Sequence, residues 1–545
     1  MFIEPVFGKK LFGREEVVGT LQKRVTDLKG GYRQNLALTG PMLAGKSSIL
    51  RHFLKSIKDP DVIPLYIEMD GVDFRFFCTQ FMAALMYRYL RSEGEKAEND
   101  FESLRMKAKG MIPKTVSAMD KVSTCLDGKK NEEAYGTLLE ITSVFKQETG
   151  KNCVVILDEF HNLSNFKLRR PFQVFGKFIM VQKNTMYIVS SSQKSLLKDI
   201  LTKKLSLLFG NFEVLEIDGF DNQTARSFVS EKIKDVDIAE DIKSYLIQIT
   251  QGNPFYLENL ASKVSEIKRK ESTREKNDEE YLLDSLAYIL YESNGVLNQY
   301  FMNNVNFFLE KKNRKKFLPI LVALSHGKQT IKDIQAHIGK TDKDTGLNLQ
   351  KLQDMDLVLN SGTFYYVADK LFEYWLKHVY DLKSRSVIDD MGIKYLEFKK
   401  EVSDDYRRYC VFSQKKAADI IYDLFKSFSG EKMQINMNMK KMPKFDSVEK
   451  KKLSDTVFQI IGKKGKRAWV CNVKQNDISD DKDIHDIWSM KFPDKDIKIM
   501  RKIFVPLKGI EQNAYLLAKE QNVWVWDQKQ LNVVLRLFGK FEIVK

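Results

Sequence analysis

The chain has 545 residues, enough for several domains that each bury a core of their own. Its 43% hydrophobic and 30% charged residues suit a globular protein, and no apolar run approaches the roughly 18–20 residues of a membrane span. The net charge of +16 invites an anionic partner, most simply nucleic acid, although a lysine-rich composition alone gives the same total.

The five cysteines are scattered without a CxxC pair, and the six histidines are equally dispersed. That argues against disulfides, a zinc site and a metallohydrolase, and predicts a reduced, cytoplasmic protein. Met1-Phe2-Ile3-Glu4-Pro5 lacks the basic and apolar regions of a signal peptide.

In the first third, short apolar runs alternate with amphipathic stretches, the pattern of a parallel α/β sheet. Strands are predicted at residues 36–39, 62–68, 153–157, 186–190 and 214–217. The first leads into Gly40-Pro41-Met42-Leu43-Ala44-Gly45-Lys46-Ser47, which is GxxxxGKS, and then into a helix-like run beginning at Ser48. In that strand–loop–helix setting the glycines let backbone N–H groups curl around phosphate oxygens, helped by the helix dipole. Lys46 is expected on the β/γ-phosphates and Ser47 on Mg²⁺. Residues 91–133, with Gly94, Gly110, Pro113 and Gly128, read as a helical insertion or lid of uncertain order.

The run Cys153-Val154-Val155-Ile156-Leu157-Asp158-Glu159 ends a buried strand in two acids, at the sheet edge where parallel sheets bind ligands. Asp158 is expected to support Mg²⁺ and Glu159 to orient or deprotonate the attacking water. The strand ending at Ser190-Ser191-Ser192-Gln193 would present a sensor to the γ-phosphate. Ser191, Ser192 and Gln193 stay open for that role, with Ser192 and Gln193 named beside Glu159 and Lys46 as catalytic candidates.

Residues 222–284 turn helical, and a further helical block reaches about 310. Over 311–383 three helices (near 317–324, 331–338 and 345–355) precede two strands, 357–359 and 363–367, around Asn360-Ser361-Gly362. That order makes a winged helix-turn-helix. Its candidate recognition helix carries Asn348 and Gln350 but no arginine, so packing as a regulatory arm is favoured over base readout. From 415 onward helix and strand mix again, with a helix at 417–428, strands at 468–473, 502–504 and 523–526, and a closing helix at 529–538. Lysines crowd residues 311–316 and 440–474.

Taken in order, Phe12-Gly13-Arg14-Glu15, GxxxxGKS, the acid-ended strand, the serine-ended strand and Gly252-Asn253-Pro254-Phe255 resemble the STAND/AAA+ group of P-loop ATPases. The closest resemblance is to the archaeal-type ATPases, relatives of origin-recognition ATPases with a winged helix after the core. Tyr366 to Trp375 matches that family's segment after the winged helix. The resemblance implies a P-loop α/β sheet over 1–220, a helical lid over 221–310 and a winged helix over 311–383. It also implies Gly13 and Arg14 near the adenine and Pro254 in the lid, with ATP and Mg²⁺ as cofactors. The arginine that the family often carries after the sensor strand is missing from Leu207-Leu208-Phe209-Gly210-Asn211. Lys203 or Lys204 is a weaker substitute, because lysine lacks the guanidinium fork, and slow hydrolysis is expected.

Residues 384–545 resemble the PD-(D/E)XK, restriction-endonuclease-like fold, with Asp446, then Asn472 and Lys474 in the D…(D/E)xK places and Asp419 as a weaker acid. Asparagine at 472 removes a charge that Mg²⁺ prefers, so a degenerate site is expected. The combined expectation is a switch ATPase whose nucleotide state, bound between core and lid, governs what the C-terminal domains hold. DNA and a protein are the candidate partners, through the winged helix or the last domain; no membrane contact is expected, and self-association stays open. The alternatives are a non-enzymatic nucleotide-dependent scaffold and a Mg²⁺-dependent nuclease.

Overall fold

The structure, a computed structural model, describes residues 5, 11–205, 210, 212–270, 276–308, 311–339, 344–385, 390–435, 438–492 and 496–544. The chain forms two compact units: Met1–Phe220 with Asn253–Phe255, and Asp221–Gly252 with Tyr256–Lys545. Among the described residues no helix is long and apolar enough to cross a membrane.

The first unit is built on five parallel strands, β1 (Asn35–Thr39), β2 (Val62–Glu68), β3 (Asn152–Asp158), β4 (Thr185–Ser191) and β5 (Phe212–Glu216), in the order β2-β3-β4-β1-β5. The predicted strands are all present, shifted by no more than two residues at any end. The alternation of strand side chains explains why the inner strands are apolar throughout. Leu36, Leu38, Val154, Ile156, Met186 and Ile188 face one core, shared with helices Glu15–Lys29 and Lys46–Ser56. Ala37, Val155, Leu157, Tyr187 and Val189 face the other.

That second core corrects the reading of 91–133 as a lid of uncertain order. Helices Phe101–Met111, Pro113–Asp127 and Asn131–Thr149 occupy this stretch. Val116, Met119, Val122 and Leu126 recur at helical spacing and are buried in the same cluster as Phe77 and Leu139. The segment is part of the packed layer on one face of the sheet.

The second unit begins with helices Asn222–Lys232 and Glu240–Thr250, helix Pro254–Lys270 from Tyr256 onward, and helices Asp278–Leu286 and Val296–Phe308. Helices Lys311–Ser325, Ile331–Ile338 and Thr345–Asp354 follow, then the antiparallel pair β6 (Val358–Ser361) and β7 (Phe364–Val367). Thr330 caps the second of these helices by accepting from the Asp333 amide at 3.3 Å. Asp369, in the motif after the hairpin, caps helix Lys370–Trp375 by accepting from the Leu371 and Phe372 amides, and it also takes the Tyr256 hydroxyl. Trp375 donates to Asn298 at 2.9 Å, so this motif is a packing device.

Past helices Met391–Ser413 and Ala417–Ser427 comes a small hairpin, β8 (Lys432–Ile435) and β9 (Asn438–Lys441). A mixed sheet ends the chain: β10 (Ser447–Lys452), β11 (Val457–Lys464), β12 (Arg467–Lys474), β13 (Lys498–Pro506) and β14 (Trp524–Val525), adjacent in that order. β10, β11 and β12 pair antiparallel, whereas β12, β13 and β14 run parallel. β8 to β11 lie between the predicted helix at 417–428 and the predicted strand at 468–473, where no strand is predicted.

Candidate nucleotide site

β4 lies between β1 and β3, so its C-terminal end sits between the glycine loop that follows β1 and the acids that end β3. Gly40 opens the loop where nothing larger fits: a Cβ there would stand 2.0 Å from the Ile217 carbonyl oxygen. Gly45, at φ 96°, is the N-cap of helix Lys46–Ser56 and offers no side-chain acceptor. The dipole of that helix favours an anion at this N-terminus.

Lys46 is buried, and its Nζ donates to the carbonyls of Gly40 at 2.8 Å and Pro41 at 2.9 Å. Burial lowers its pKa from the ordinary lysine value, against the opposing pull of Glu159 and Asp158. A desolvated ammonium resting on neutral carbonyls is a strong attractor for phosphate oxygens. Ser47 and Ser48 follow on the first helical turn, half-buried.

Asp158 is 2% exposed and accepts from the Tyr66 hydroxyl, the Ser190 hydroxyl and the Glu159 amide. Burial and the Asp158 charge push the Tyr66 phenol far up, so it stays a donor. Arg51 stacks 4.5 Å above the Tyr66 ring and pairs with Glu68 at 3.2 Å. Glu159 adopts left-handed backbone geometry, φ 54°, uncommon for its type. Its Oε2 accepts from the Ser192 amide and the Ser192 hydroxyl, each at 2.9 Å, and stands 3.3 Å from His161 Nδ1. His161 Nδ1 also meets Ser191 Oγ at 2.9 Å, and its Nε2 meets the Gln193 amide nitrogen at 3.2 Å.

The three serines thus divide the work: Ser190 holds Asp158, Ser191 holds His161, and Ser192 holds Glu159. Ser192 and Gln193 stand where the sequence placed them, beside the acids. Tyr66, Ser190 and His161 were missed. The one sequence signal for His161 is its place two residues beyond Glu159, on the turn that the acids begin.

Arg14 donates to the Ala44 carbonyl at 3.2 Å and the Asp218 carbonyl at 2.6 Å, and stacks 4.8 Å from the Phe220 ring, which ties the residues after Gly13 to the glycine loop. Asn253 reaches the Met42 carbonyl at 3.5 Å, and Pro254 Cγ lies 4.0 Å from the place a Gly45 Cβ would take. Lys203 pairs with Asp199 at 2.9 Å and Lys204 lies 4.7 Å over the Phe172 ring. Leu207, Leu208, Phe209 and Asn211 lie outside the described residues.

The donors fit Mg²⁺·ATP. Ser47 and Asp158 offer hard oxygen ligands, and Mg²⁺ takes few protein ligands when phosphates and water complete its shell. Among the described residues no cluster of three or more His, Cys, Asp or Glu could cage a metal by itself.

In the second unit the structure separates the proposed nuclease triad. Asn472 lies opposite Gln459 on β11, and its Oδ1 accepts from Gln459 Nε2 at 3.0 Å. Lys474 pairs with Asp483 at 2.7 Å. Asp446 stands beyond the other end of β11, accepting from the Gly465 amide at 2.8 Å. Five residues of strand rise, roughly 15 Å, part it from Asn472, and Asp419 is paired with Lys450. The residue brought to Asn472 is a carboxamide, so the expected acid is absent. In helix Thr345–Asp354, Asn348 is buried and Gln350 donates to Asp354 at 3.0 Å, which removes Asn348 from any groove-reading face. Residues 340–343 of its lead-in lie outside the described residues.

The parallel five-strand sheet, with a glycine-loop lysine, an acid pair and a serine-ended strand between them, matches the sheet of P-loop nucleoside triphosphatases. Residues 10–175 match the family model described as an AAA ATPase domain. No curated protein matches the sequence. Among solved structures the chain is similar to a Walker-type ATPase of Pyrococcus abyssi (16% identity, TM-score 0.49, covering 69% of this chain and 99% of that one). It is also similar to the ORC2 protein of Aeropyrum pernix (10%, 0.43, 70% and 98%) and to the RuvB Holliday junction branch migration motor of Thermotoga maritima (13%, 0.34, 68% and 98%).

Proposed function

We propose that this protein is a switch-type ATPase, which binds ATP with Mg²⁺ and hydrolyses it slowly so that nucleotide state governs what its C-terminal half binds. The observation that carries this reading is the meeting of Lys46, Asp158 and Glu159 around the Ser190–Ser192 strand end. Lys46 and the loop amides hold the phosphates, Ser47 and Asp158 hold the cation, and Glu159 orients the water. Slow turnover is supported by the Glu159 carboxylate being engaged by Ser192 and by the missing arginine after β4. Phosphate release measured with and without duplex DNA tests the reading. Turnover above the Glu159→Gln background supports it, and equal rates for the two proteins overturn it.

We assign 221–310 to a lid, 311–383 to a winged helix and 384–545 to a partner-binding domain without nuclease chemistry. For that domain nucleic acid is the favoured partner. Residues 432–467 carry eleven Lys or Arg against three Asp or Glu. A steep fall of log K with log salt in a duplex titration supports phosphate contacts. No binding at low salt leaves the scaffold reading, in which the same domain meets a protein.

A further inference from the structure

His161 is a buried histidine whose two ring nitrogens face different parts of the site. The bonds around it fix its protons. Ser191 Oγ donates to the Gln193 carbonyl at 3.1 Å and accepts the Gln193 amide proton at 3.0 Å, so toward His161 it remains an acceptor. A lone pair on Nδ1 would face the Glu159 carboxylate at 3.3 Å, so the proton belongs on Nδ1, with Ser191 Oγ at 2.9 Å as its acceptor. Nε2 faces the side-chain NH₂ of Gln193 at 3.2 Å, a donor, so it must offer its lone pair. With its NH₂ turned to Nε2, Gln193 matches the same tautomer. Burial, which lowers the imidazole pKa, supports the same neutral form.

We propose that His161 is a positioning residue that passes the orientation of Gln193 to the Glu159 carboxylate, and so sets the rate of ATP turnover without touching the nucleotide. This rests on the ATPase reading above. Gln193 lies at the end of the strand facing the phosphates, and Glu159 orients the water. No other described side chain is recorded as bonded to both Ser191 and Gln193. With the Nδ1–H in place, its positive end also stands 3.3 Å from the carboxylate that Ser192 holds. Without it, Glu159 keeps its left-handed backbone but loses one restraint on its aim.

The test compares His161→Asn, His161→Gln and His161→Ala in the full-length protein, with nucleotide affinity, kcat, KM and melting temperature measured for each. The Asn amide nitrogen stands in for Nδ1 and keeps a donor beside Ser191 and Glu159, whereas the Gln amide stands in for Nε2 and does not. His161→Ala and His161→Gln should lose on the order of 10²-fold in kcat, the scale of a misaimed catalytic group. Nucleotide affinity and KM should stay within about threefold, and His161→Asn should recover most of the rate. A kcat for His161→Ala within twofold of wild type overturns the proposal, as does rescue by Gln instead of Asn. Rate losses that follow melting temperature alone, equal for Asn and Gln, also overturn it. Wild-type protein that releases no phosphate above the Glu159→Gln background defeats the ATPase reading itself, and this one with it.

Discussion

Ser192 holds Glu159 with two donors at once: its backbone N–H and its hydroxyl both reach Oε2 at 2.9 Å. The carboxylate assigned to the water is thereby engaged at the end of the neighbouring strand, and its negative charge is what both donors address. Glu159→Gln keeps the shape and removes that charge. We expect nucleotide affinity within about threefold of wild type and a loss of turnover of 10²-fold or more, the cost of removing a general base. Equilibrium binding of a fluorescent ATP analogue and single-turnover phosphate release measure the two.

Lys46→Met should separate binding from folding. The lysine is desolvated, its pKa is lowered from the ordinary value, and its charged form at neutral pH is therefore disfavoured by the fold. Replacing it with an apolar side chain of similar length should leave the melting temperature of the nucleotide-free protein unchanged or higher. The same change should weaken ATP binding by at least 10²-fold, about 2.7 kcal/mol, and abolish the shift that ATP produces in the melting temperature.

Gly40→Ala should cost about 3 kcal/mol or more, because its Cβ meets a backbone oxygen at 2.0 Å and neither partner can rotate away. All five tryptophans (Trp375, Trp469, Trp488, Trp524, Trp526) lie in the second unit, so their fluorescence will not register the damage. Hydrogen exchange at the amides of β1 and of helix Lys46–Ser56 will.

Asn472→Ala removes the oxygen acceptor of the buried Gln459 amide and leaves it the weak Met490 sulfur at 3.2 Å, at a cost of about 1–3 kcal/mol. Here tryptophan fluorescence is the right probe, since Trp469 shares β12 with Asn472. The same variant should leave DNA intact with Mg²⁺ present, as should the wild type. Cleavage by either would support the nuclease reading, against which the separation of Asp446 from Asn472 argues.

Asp369 supplies a pH-dependent term in the second unit. Burial raises its carboxyl pKa above the usual range, against the lowering effect of the Tyr256 hydroxyl and two backbone amides. A raised folded pKa means that the folded state takes up the proton more readily than the unfolded chain. Its contribution to stability is fully present below the ordinary carboxylate pKa and is lost as pH rises through the folded value. Asp369→Asn retains a capping oxygen and cannot ionise. Tryptophan-monitored unfolding from pH 4 to pH 8 should show a loss of stability with rising pH in the wild type that is smaller in the variant.

The nucleotide core was legible because its signals are local. Leu36–Thr39 runs straight into the glycine loop, and Cys153–Leu157 straight into its acids, so chain order alone puts phosphate and cation groups at one sheet edge. Which serine serves which acid depends on how β4 lies between β1 and β3, a long-range fact that no window of sequence holds. The same reason hid Tyr66, at the end of β2 and 92 positions from the Asp158 it binds. In the last domain the alternation of β10 is masked by Lys450, Lys451 and Lys452 on an exposed edge. Along the chain Asp446 fits the D…(D/E)xK order with Asn472 and Lys474, although the ladder sets Gln459 beside Asn472.

Asn253–Phe255 belongs to the first unit, while its chain neighbours on both sides belong to the second. The first unit is consequently not a continuous stretch of gene. A fragment ending at Phe220 would lack Asn253, which reaches Met42, and Pro254, which lies beside Gly45. Affinities measured on such a fragment would describe a loop missing one wall. A faithful minimal version needs those three residues grafted back through a designed linker, and the difference between the two fragments would weigh what that wall contributes.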